Sequence, residues 1–443
     1  MGSPEEMVGR RVGRYTILSH LASGGMAELY IARQESVGGF EKSVVVKLLQ
    51  GRYAANPRVV SMFLDEARLA AKLNHPSIVH VYDVAEDDGM KYIAMEYIQG
   101  ETVTDIVLRG IEAQNFLPLQ HAVHIISQTA AGLAYAHGHR DTDGKLLRIV
   151  HRDVSPSNVL VSYEGQTKIV DFGIARIQDQ IREESGMRPG KPSYMSPEQV
   201  RGEGADIRSD IFSLGIILYE ITVGQRLFRG TADEVMQRIL EETIAPPTVV
   251  KHDYPAALEL IVMKALERRP EDRYQSAEDM RHDLEEFVHE SGFRTGNRRM
   301  ALYLREIFPA AAAAARDGTV RPADADALSG PNVGTGLGQD EGQELNFDRR
   351  APLAMRLEPA PPAGATARTP APAVKTALPL PVAGGAGAVP ARAVAAATIP
   401  GNERSEAHGD DSVSMEVPRR RGWLLVAALL LFGVVAMVFT VLK

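Results

Sequence analysis

Residues 151–158, which read HRDVSPSN, and residues 171–173, which read DFG, constrain the fold of this 443-residue chain more than any other feature. Asp153 can orient a hydroxyl group and accept its proton. Asn158 and Asp171 supply oxygen ligands of the kind that Mg²⁺ prefers. One base and two metal ligands in this order are the groups needed to move a γ-phosphoryl group, so the two motifs predict a phosphotransfer site.

The spacing between the motifs matters as much as their letters, because each motif alone occurs by chance in loops. Apolar runs at residues 159–161 and 168–170 separate them and predict two short strands. A hairpin of these strands would bring Asn158 and Asp171 towards one metal ion. The sequence therefore predicts both a local fold and a magnesium site.

A lysine and a glutamate upstream complete the phosphate-binding groups. The β-type run at residues 44–46 ends at Lys47, and Glu66 lies in residues 62–73, whose apolar spacing predicts a helix. A strand lysine can hold the α- and β-phosphates while a glutamate fixes its side chain. We therefore expect an ion pair between Lys47 and Glu66.

A glycine-containing turn lies further upstream, at residues 21–30, which read LASGGMAELY between two strand-like runs. Such a turn can let backbone N–H groups approach phosphates. The pattern for this kind of loop has glycine at the positions of Ala22, Gly24 and Ala27, and only Gly24 matches it. Because alanine is strained at positive φ and glycine is not, we expect a stiffer loop with weaker phosphate contacts.

With these motifs in this order, residues 14–290 resemble a bacterial Hanks-type (eukaryotic-like) serine/threonine protein kinase, over roughly two-thirds of the chain. The further segments that carry the resemblance are MEYI at residues 95–98, SPE at 196–198, SDIFSLG at 209–215 and RRPEDRY at 268–274. The resemblance implies an α+β, bilobal protein kinase fold, with a small β-rich N-lobe and a larger helical C-lobe. It also implies ATP and Mg²⁺ as cofactors and proteins as substrates.

The resemblance implies a role for each matching residue. Asp153 would accept the proton, Asn158 and Asp171 would bind Mg²⁺, and Lys47 and Glu66 would form the phosphate-holding pair. The residues expected around the nucleotide are the adenine-site side chains Leu21, Leu29, Val45 and Leu160, the loop residue Gly24, the hinge residues Glu96 and Ile98, and the gatekeeper Met95. The residues expected to stabilise the C-lobe are Glu198 and Arg273, as a buried ion pair, and Asp210, as a brace for the catalytic loop.

Two departures from the family pattern lie at positions that touch in the family fold. Ser155 stands where these kinases usually have a lysine against the γ-phosphate, and Lys191 stands where they usually have a threonine. We expect Lys191 to reach the space beside Ser155 and restore one positive charge there, which would make Lys191 a catalytic residue. The alternative is a solvated lysine in the activation loop.

Two other functions stay open beside an active serine/threonine kinase that also phosphorylates itself. The bulk of Val45 and Leu29 and the loop alanines are compatible with a membrane-tethered pseudokinase, a weak nucleotide binder that acts as a docking module. A small-molecule phosphotransferase is a third class, which the peptide-binding pattern of the C-lobe disfavours. Tyrosine kinases also lack a lysine at the position of Ser155, so the preference for serine and threonine rests on the resemblance.

The segment from the DFG motif to the SPE motif contains a candidate modification site. Residues 171–198 contain no threonine, and Ser185 is the best-placed acceptor for autophosphorylation. Arg152 could pair with a phosphate there and order the loop, and an unmodified serine is the alternative.

An insertion at residues 138–148, with a central Asp-Gly pair, predicts a surface hairpin before the catalytic loop.

Composition divides the rest of the chain. Residues 1–13 form an N-terminal extension, and residues 291–308 continue the kinase-like region as a C-terminal helical extension. Residues 309–422 are rich in alanine, proline and glycine with few aromatics, which predicts a disordered linker. Residues 423–442 are uncharged and mainly apolar, and they are long enough to form a transmembrane helix.

Charge sets the expected location and partners. Three arginines at residues 419–421 precede the apolar stretch and only Lys443 follows it, so the positive-inside rule places the kinase region in the cytoplasm, on a single-pass anchor in the cell inner membrane. The lipid bilayer is then one partner, and self-association could support trans-autophosphorylation. A net charge of −8 without a long basic patch argues against nucleic acid as the main partner. Zero cysteines exclude disulfides and thiolate catalysis.

Overall fold

The structure is a computed structural model that describes residues 4–24, 26–35, 41–172 and 192–317, with Glu66 described by its backbone alone. These residues form two lobes, and the N-lobe is built on an antiparallel sheet in the order β1-β2-β3-β4-β6-β5. The N-lobe elements are β1 (Arg11–Val12), β2 (Tyr15–Ser23), β3 (Ala27–Glu35), β4 (Glu41–Leu49), α1 (Gly51–Ala54), α2 (Pro57–Ala70), β5 (Val81–Asp87) and β6 (Met90–Glu96). Along β4, Val44 and Val46 pack into one apolar cluster and Val45 into another, because successive strand residues point to opposite faces of a sheet.

Helix α2 carries Glu66 and covers one face of this sheet. Its first turn is capped by Asn56, whose side-chain oxygen accepts the N–H groups of Arg58 and Val59 at 3.1 and 3.4 Å. Such a cap satisfies N–H groups that have no partner inside the helix. Phe63, on the inner face of α2, is 1% exposed and belongs to the same apolar cluster as Val45.

The C-lobe is mainly helical and contains a small sheet in the order β7-β8-β9. Its elements are β7 (Gly100–Thr102), α3 (Val103–Glu112), α4 (Leu119–His137), β8 (Val159–Ser162), β9 (Thr167–Ile169), α5 (Pro197–Arg201), α6 (Ile207–Val223), α7 (Ala232–Glu241), α8 (Pro247–Val250), α9 (Ala256–Ala265) and α10 (Ala277–Glu290). Helix α6 is apolar around most of its surface and buried along nearly all of its length, which places it at the centre of the lobe. It ends at Gly224, whose φ of 80° favours glycine.

Backbone hydrogen bonds join the two lobes behind the predicted cleft. The N–H of Ile169 donates to the carbonyl of Ser77, and the N–H of Val79 donates to the carbonyl of Ile169, each at 2.9 Å. Strand β9 is thereby fixed to the segment that leads into β5. The predicted bilobal α+β architecture, with a β-rich N-lobe and a helical C-lobe, is confirmed.

The termini of the catalytic region differ from the expected boundaries. Residues predicted as an N-terminal extension belong to the N-lobe from Pro4 onward, because β1 pairs with β2 and Val12 is fully buried. The linker was expected to begin at residue 309, but Pro309–Arg316 form a helix, α12, and Ala312 is 2% exposed. Alanine is the strongest helix former, so a run of alanines beside a packing surface folds although its composition resembles a linker.

Residues 291–308 contain helix α11 (Asn297–Ile307), which packs on α3 and α4. The side chain of Arg109 donates to the carbonyl of Ile307 at 3.1 Å, and the hydroxyl of Tyr303 donates to the carbonyl of Asn115 at 2.9 Å. This extension is part of the folded C-lobe.

The insertion before the catalytic loop has the expected hairpin form, with a bridge between Arg140 and Leu146. Within the ranges given above, no helix has both the length and the apolar character of a membrane span. The predicted span at residues 423–442 lies outside those ranges, as do Ser185, Lys191 and the predicted linker beyond residue 317.

Candidate active site

The hairpin of β8 and β9 brings the two sequence motifs together. Val159 pairs with Ile169 across the strands, and the N–H of Val170 donates to the carbonyl of Asn158 at 3.0 Å. Asp171 follows directly, with a φ of 62°, a left-handed conformation that is uncommon outside glycine. The two predicted metal ligands are therefore neighbours, and one of them has a strained backbone of the kind that collects at functional sites.

The predicted base is held by the predicted metal ligand. The side-chain nitrogen of Asn158 donates to the carbonyl oxygen of Asp153 at 2.8 Å and to its carboxylate Oδ2 at 2.9 Å. This double contact fixes the orientation of the Asp153 carboxylate. Because the amide nitrogen is engaged with Asp153, the amide oxygen of Asn158 is the atom that can serve a cation.

Lys47 lies on β4 with 6% of its surface exposed, and its Nζ is 2.8 Å from Oδ1 of Asp171. The expected partner of Lys47 was Glu66, whose side chain lies outside the described part of the structure, so that pair stays a prediction. The Lys47–Asp171 pair joins a strand of the N-lobe to the turn that follows β9 in the C-lobe.

The catalytic loop is braced from helix α6, as expected for Asp210. Its carboxylate accepts the N–H of His151 at 2.9 Å and the N–H of Arg152 at 2.7 Å. The ring of His137, at the end of α4, contacts the same carboxylate through Nε2 at 2.8 Å. Motif reading missed His137, because its partner is 73 positions away and no local pattern links the two.

The hydrogen bonds of His151 define its tautomer. Its Nδ1 accepts the N–H of Asp153 at 3.2 Å, so Nε2 carries the proton that is donated to the carbonyl of Val170 at 2.9 Å. The ring of Phe172 packs edge-on against this imidazole, with 4.6 Å between the two ring centres. His151 thus links the loop that carries the base to the segment that carries Asp171.

A second brace reaches the loop from the segment that follows the undescribed residues 173–191. The side chain of Gln199 donates to the carbonyl of Arg152 at 2.9 Å. Arg152 itself has a φ of 69°, so this contact stabilises a strained peptide next to the base. Sequence reasoning also missed Gln199, although it directly follows the matched SPE segment.

The ion pair expected between Glu198 and Arg273 is present and bidentate, with both N–O distances 2.8 Å. Ser209 also donates to Glu198, at 2.6 Å. Burial raises the pKa of the Glu198 carboxyl, but the hydrogen bonds from Arg273 and Ser209 outweigh burial and lower the pKa to about 2. Glu198 therefore stays ionised at neutral pH and anchors the end of the activation segment to the C-lobe.

The side chains expected around an adenine ring are brought together only in part. Leu21, Leu29, Val45 and Met95 belong to one apolar cluster of the N-lobe. Leu160 is half-buried on β8 in the other lobe, and Ile98 is half-buried in the connection after β6. The other expected hinge residue, Glu96, forms a side-chain ion pair with Lys168 at 2.9 Å, which no motif indicated.

The space around the catalytic loop bears on the expected charge swap. Ser155 is 1% exposed, and its hydroxyl lies 3.1 Å from that of Ser157. A small buried serine occupies the position where related kinases have a long cation. The position of Lys191 lies outside the described residues, so its contact with Ser155 stays a prediction.

These residues fit a nucleotide and a divalent cation. A carboxylate and an amide oxygen are hard ligands, and a magnesium ion typically takes one or two such protein ligands and completes its shell with phosphate oxygens and water. Lys47 adds a positive charge for phosphate oxygens, and the apolar cluster offers a surface for a purine. Bound Mg²⁺ would neutralise negative charge on the phosphates.

The matching family model decides the identity of this fold: the protein kinase domain, over residues 15–284. The chain belongs to the protein kinase family. It is 39% identical over 298 residues to the tyrosine-protein kinase MasK of Myxococcus xanthus, which covers 67% of this chain and 46% of MasK.

Two further relatives are named as serine/threonine kinases. The kinase is 38% identical over 279 residues to the serine/threonine-protein kinase PknB of Mycobacterium leprae, covering 61% of this chain and 42% of PknB. It is 37% identical over 282 residues to the probable serine/threonine-protein kinase CPE1738 of Clostridium perfringens, covering 63% of this chain and 39% of that protein. The chain spans less than half the length of each of these relatives.

Proposed function

We propose that this kinase transfers the γ-phosphoryl group of ATP to serine and threonine hydroxyls of proteins, including its own chain, in bacterial signal transduction. The observation that carries the proposal is the double contact of Asn158 with Asp153, at 2.8 and 2.9 Å. A carboxylate oriented in this way can position an acceptor hydroxyl and take its proton. A pseudokinase that only binds nucleotide has no need for an oriented base, so the geometry favours the active enzyme.

The class of acceptor rests on relatives, and they divide. The names of PknB and CPE1738 support serine and threonine, whereas the name of MasK and the buried Ser155 favour tyrosine as a second candidate. Phosphoamino-acid analysis of the labelled full-length protein and of a generic protein acceptor separates the two. We expect phosphoserine and phosphothreonine; phosphotyrosine as the main product would replace the first proposal with the second.

The charge swap between Ser155 and Lys191 belongs to the same proposal. If Lys191 supplies the missing charge, Lys191→Thr lowers the rate of transfer, and adding Ser155→Lys to Lys191→Thr restores it. Two residues that share one task are not additive, so the double variant is the informative one. Failure of Ser155→Lys to rescue the rate would show that Lys191 has another role.

The proposed location of the kinase is the cytoplasmic membrane. We infer a kinase held at the cytoplasmic face of the membrane by residues 423–442, with association between copies as the route to trans-autophosphorylation. The apolar length of this segment and the arginines before it support the inference. Fractionation of cells that produce the full chain or a chain ending at residue 422 tests it: only the full chain should sediment with membranes.

A further inference from the structure

The loop expected to cover the phosphates lies between two paired strands. Strands β2 and β3 continue up to Ser23 and Ala27, with Ala22 paired to Leu29 and Ser23 paired to Glu28. Of the turn between them, the structure describes Gly24 and Met26. Neither Ala22 nor Ala27 is among the residues with positive φ, so both alanines fit the backbone without strain.

The carboxylate of Glu28 is the centre of a side-chain network at this turn. Its Oε2 accepts the hydroxyl of Ser23 at 2.6 Å and lies 3.0 Å from Nε2 of His20. Its Oε1 accepts the side-chain N–H of Gln50 at 2.7 Å. We call His20, Ser23, Glu28 and Gln50 the loop network.

Gln50 connects the loop network to the strand that carries Lys47. Its side chain also donates to the carbonyl of Gly24 at 2.9 Å, and its backbone N–H donates to the carbonyl of Met26 at 2.9 Å. Gln50 directly follows β4, so both ends of the turn are attached to the end of that strand. These hydrogen bonds consequently fix the position of the turn relative to β4, the strand that carries Lys47.

The loop network adds little to the core of the N-lobe. Ser23 is exposed, and the side chains of His20 and Glu28 keep 28% and 18% of their surface in contact with solvent. The turn is attached to the core separately, through Met26, which is 5% exposed and packs in the apolar cluster with Leu49. The polar contacts at the rim therefore act on the position of the loop more than on the stability of the lobe.

We propose that Glu28 and Gln50 are positioning residues for the nucleotide phosphates, holding Gly24 and Met26 in place in a loop whose family pattern has two further glycines, at the positions of Ala22 and Ala27. This inference rests on the proposed function, because it concerns the nucleotide of the same site. A loop that is ordered beforehand loses less conformational freedom when it binds a ligand, so its contacts contribute more to affinity.

The test compares full-length variants in their binding of two ligands, a non-hydrolysable ATP analogue with Mg²⁺ and adenosine, by calorimetry. For Glu28→Ala and for Gln50→Ala we expect about three- to tenfold weaker binding of the triphosphate, the effect of one net hydrogen bond. Adenosine has no phosphate, so its affinity should not change. In steady-state transfer, KM for ATP should rise by the same factor while kcat changes by less than about twofold.

Two further variants complete the design. Glu35→Ala removes a carboxylate from the same strand, where the side chain is 62% exposed and pairs with Arg33 at 3.1 Å, and should bind both ligands as the wild type does. The double variant Glu28→Ala with Gln50→Ala should bind the triphosphate about as well as whichever single variant binds it less tightly. The two losses should not add, since both residues act through one network.

Unchanged triphosphate affinity in Glu28→Ala and Gln50→Ala would overturn the inference, and so would an equal loss for triphosphate and adenosine, which would indicate general damage to the N-lobe. A wild-type protein that binds the analogue normally but transfers no phosphate would contradict the proposed enzyme and leave this inference standing. A wild-type protein that binds neither ligand would contradict both.

Discussion

Lys47 and Asp171 form an ion pair of 2.8 Å although 124 positions separate them in the sequence. Lys47 comes from β4 of the N-lobe and Asp171 from the turn after β9 of the C-lobe, so the pair spans the cleft between the lobes. The side chain of Lys47 is 8% exposed and that of Asp171 is 31% exposed. The group expected to hold phosphate and the group expected to hold Mg²⁺ therefore also hold each other.

Replacing Lys47 by methionine should lower the rate of phosphoryl transfer by at least about 100-fold, because the site loses a cation that acts on developing phosphate charge. Initial rates with labelled ATP give the effect. Lys42→Met is the matched control, since Lys42 lies on the same strand and its Nζ is 3.8 Å from the ring centre of Tyr82, away from the cleft. Equal losses in both variants would contradict the assigned role of Lys47.

Arg273→Met should lower the free energy of unfolding by about 3–5 kcal/mol, because it leaves the buried Glu198 carboxylate without its partner. Urea denaturation followed by circular dichroism measures the change. Arg269→Met is the control: Arg269 forms an exposed ion pair with Glu271, and its loss should leave the urea midpoint unchanged. If the two variants unfold at the same urea concentration, the buried pair does not anchor the lobe.

The stability of the C-lobe should depend on pH through His121, on α4. Burial, together with nearby positive charge on His124 and Arg299, lowers the pKa of His121 from 6.5 to about 4. The unfolded chain then takes up a proton from about pH 6.5 downward while the folded chain does not until about pH 4, so stability is lost as pH falls through this window.

Urea midpoints at about pH 7.5 and about pH 5 measure this loss. We expect the wild type to lose about 2 kcal/mol more than His121→Phe, which fits beside the ring of Tyr303, 5.6 Å away. The exposed His252 is the control, and His252→Gln should keep the wild-type dependence on pH. An identical pH dependence in His121→Phe would show that other groups control acid stability.

Removing helices α11 and α12 should destabilise the catalytic region. Met300, Leu304 and Ile307 are at most 2% exposed, and complete burial of one such side chain contributes about 1.5–3 kcal/mol. A chain ending at residue 296 should therefore melt several degrees below a chain ending at residue 317, whereas the latter should melt with the full chain. Equal melting temperatures for the two truncations would mean that the extension is only loosely attached.

The parts of the fold that follow from local pattern were predictable. The β-type run at residues 44–46 indicated β4, and two apolar runs of strand length at residues 159–161 and 168–170 indicated the hairpin that joins Asn158 to Val170. The order of motifs indicated the bilobal fold because each motif belongs to a known place in it.

The contacts that depend on tertiary geometry were not predictable in the same way. Several acidic residues are possible partners for Lys47, and the sequence alone cannot say which one lies nearest to it. The structure pairs Lys47 with Asp171. Gln50 meets Glu28 only because the register of β3 and β4 brings position 28 opposite Leu48. Helix α12 follows from the helix propensity of alanine, although the composition of residues 309–316 also resembles that of a linker.

The most direct test of the account is Mg²⁺-dependent transfer of labelled γ-phosphate by the full-length protein, to itself and to a generic basic protein, beside Asp153→Asn. Asp153→Asn keeps the shape and the contact with Asn158 but removes the base, so we expect nucleotide binding to persist and transfer to fall by about 100-fold or more. Transfer at the wild-type rate by Asp153→Asn, or no transfer by a wild-type protein that binds ATP, would contradict the claim that this geometry is that of an active protein kinase.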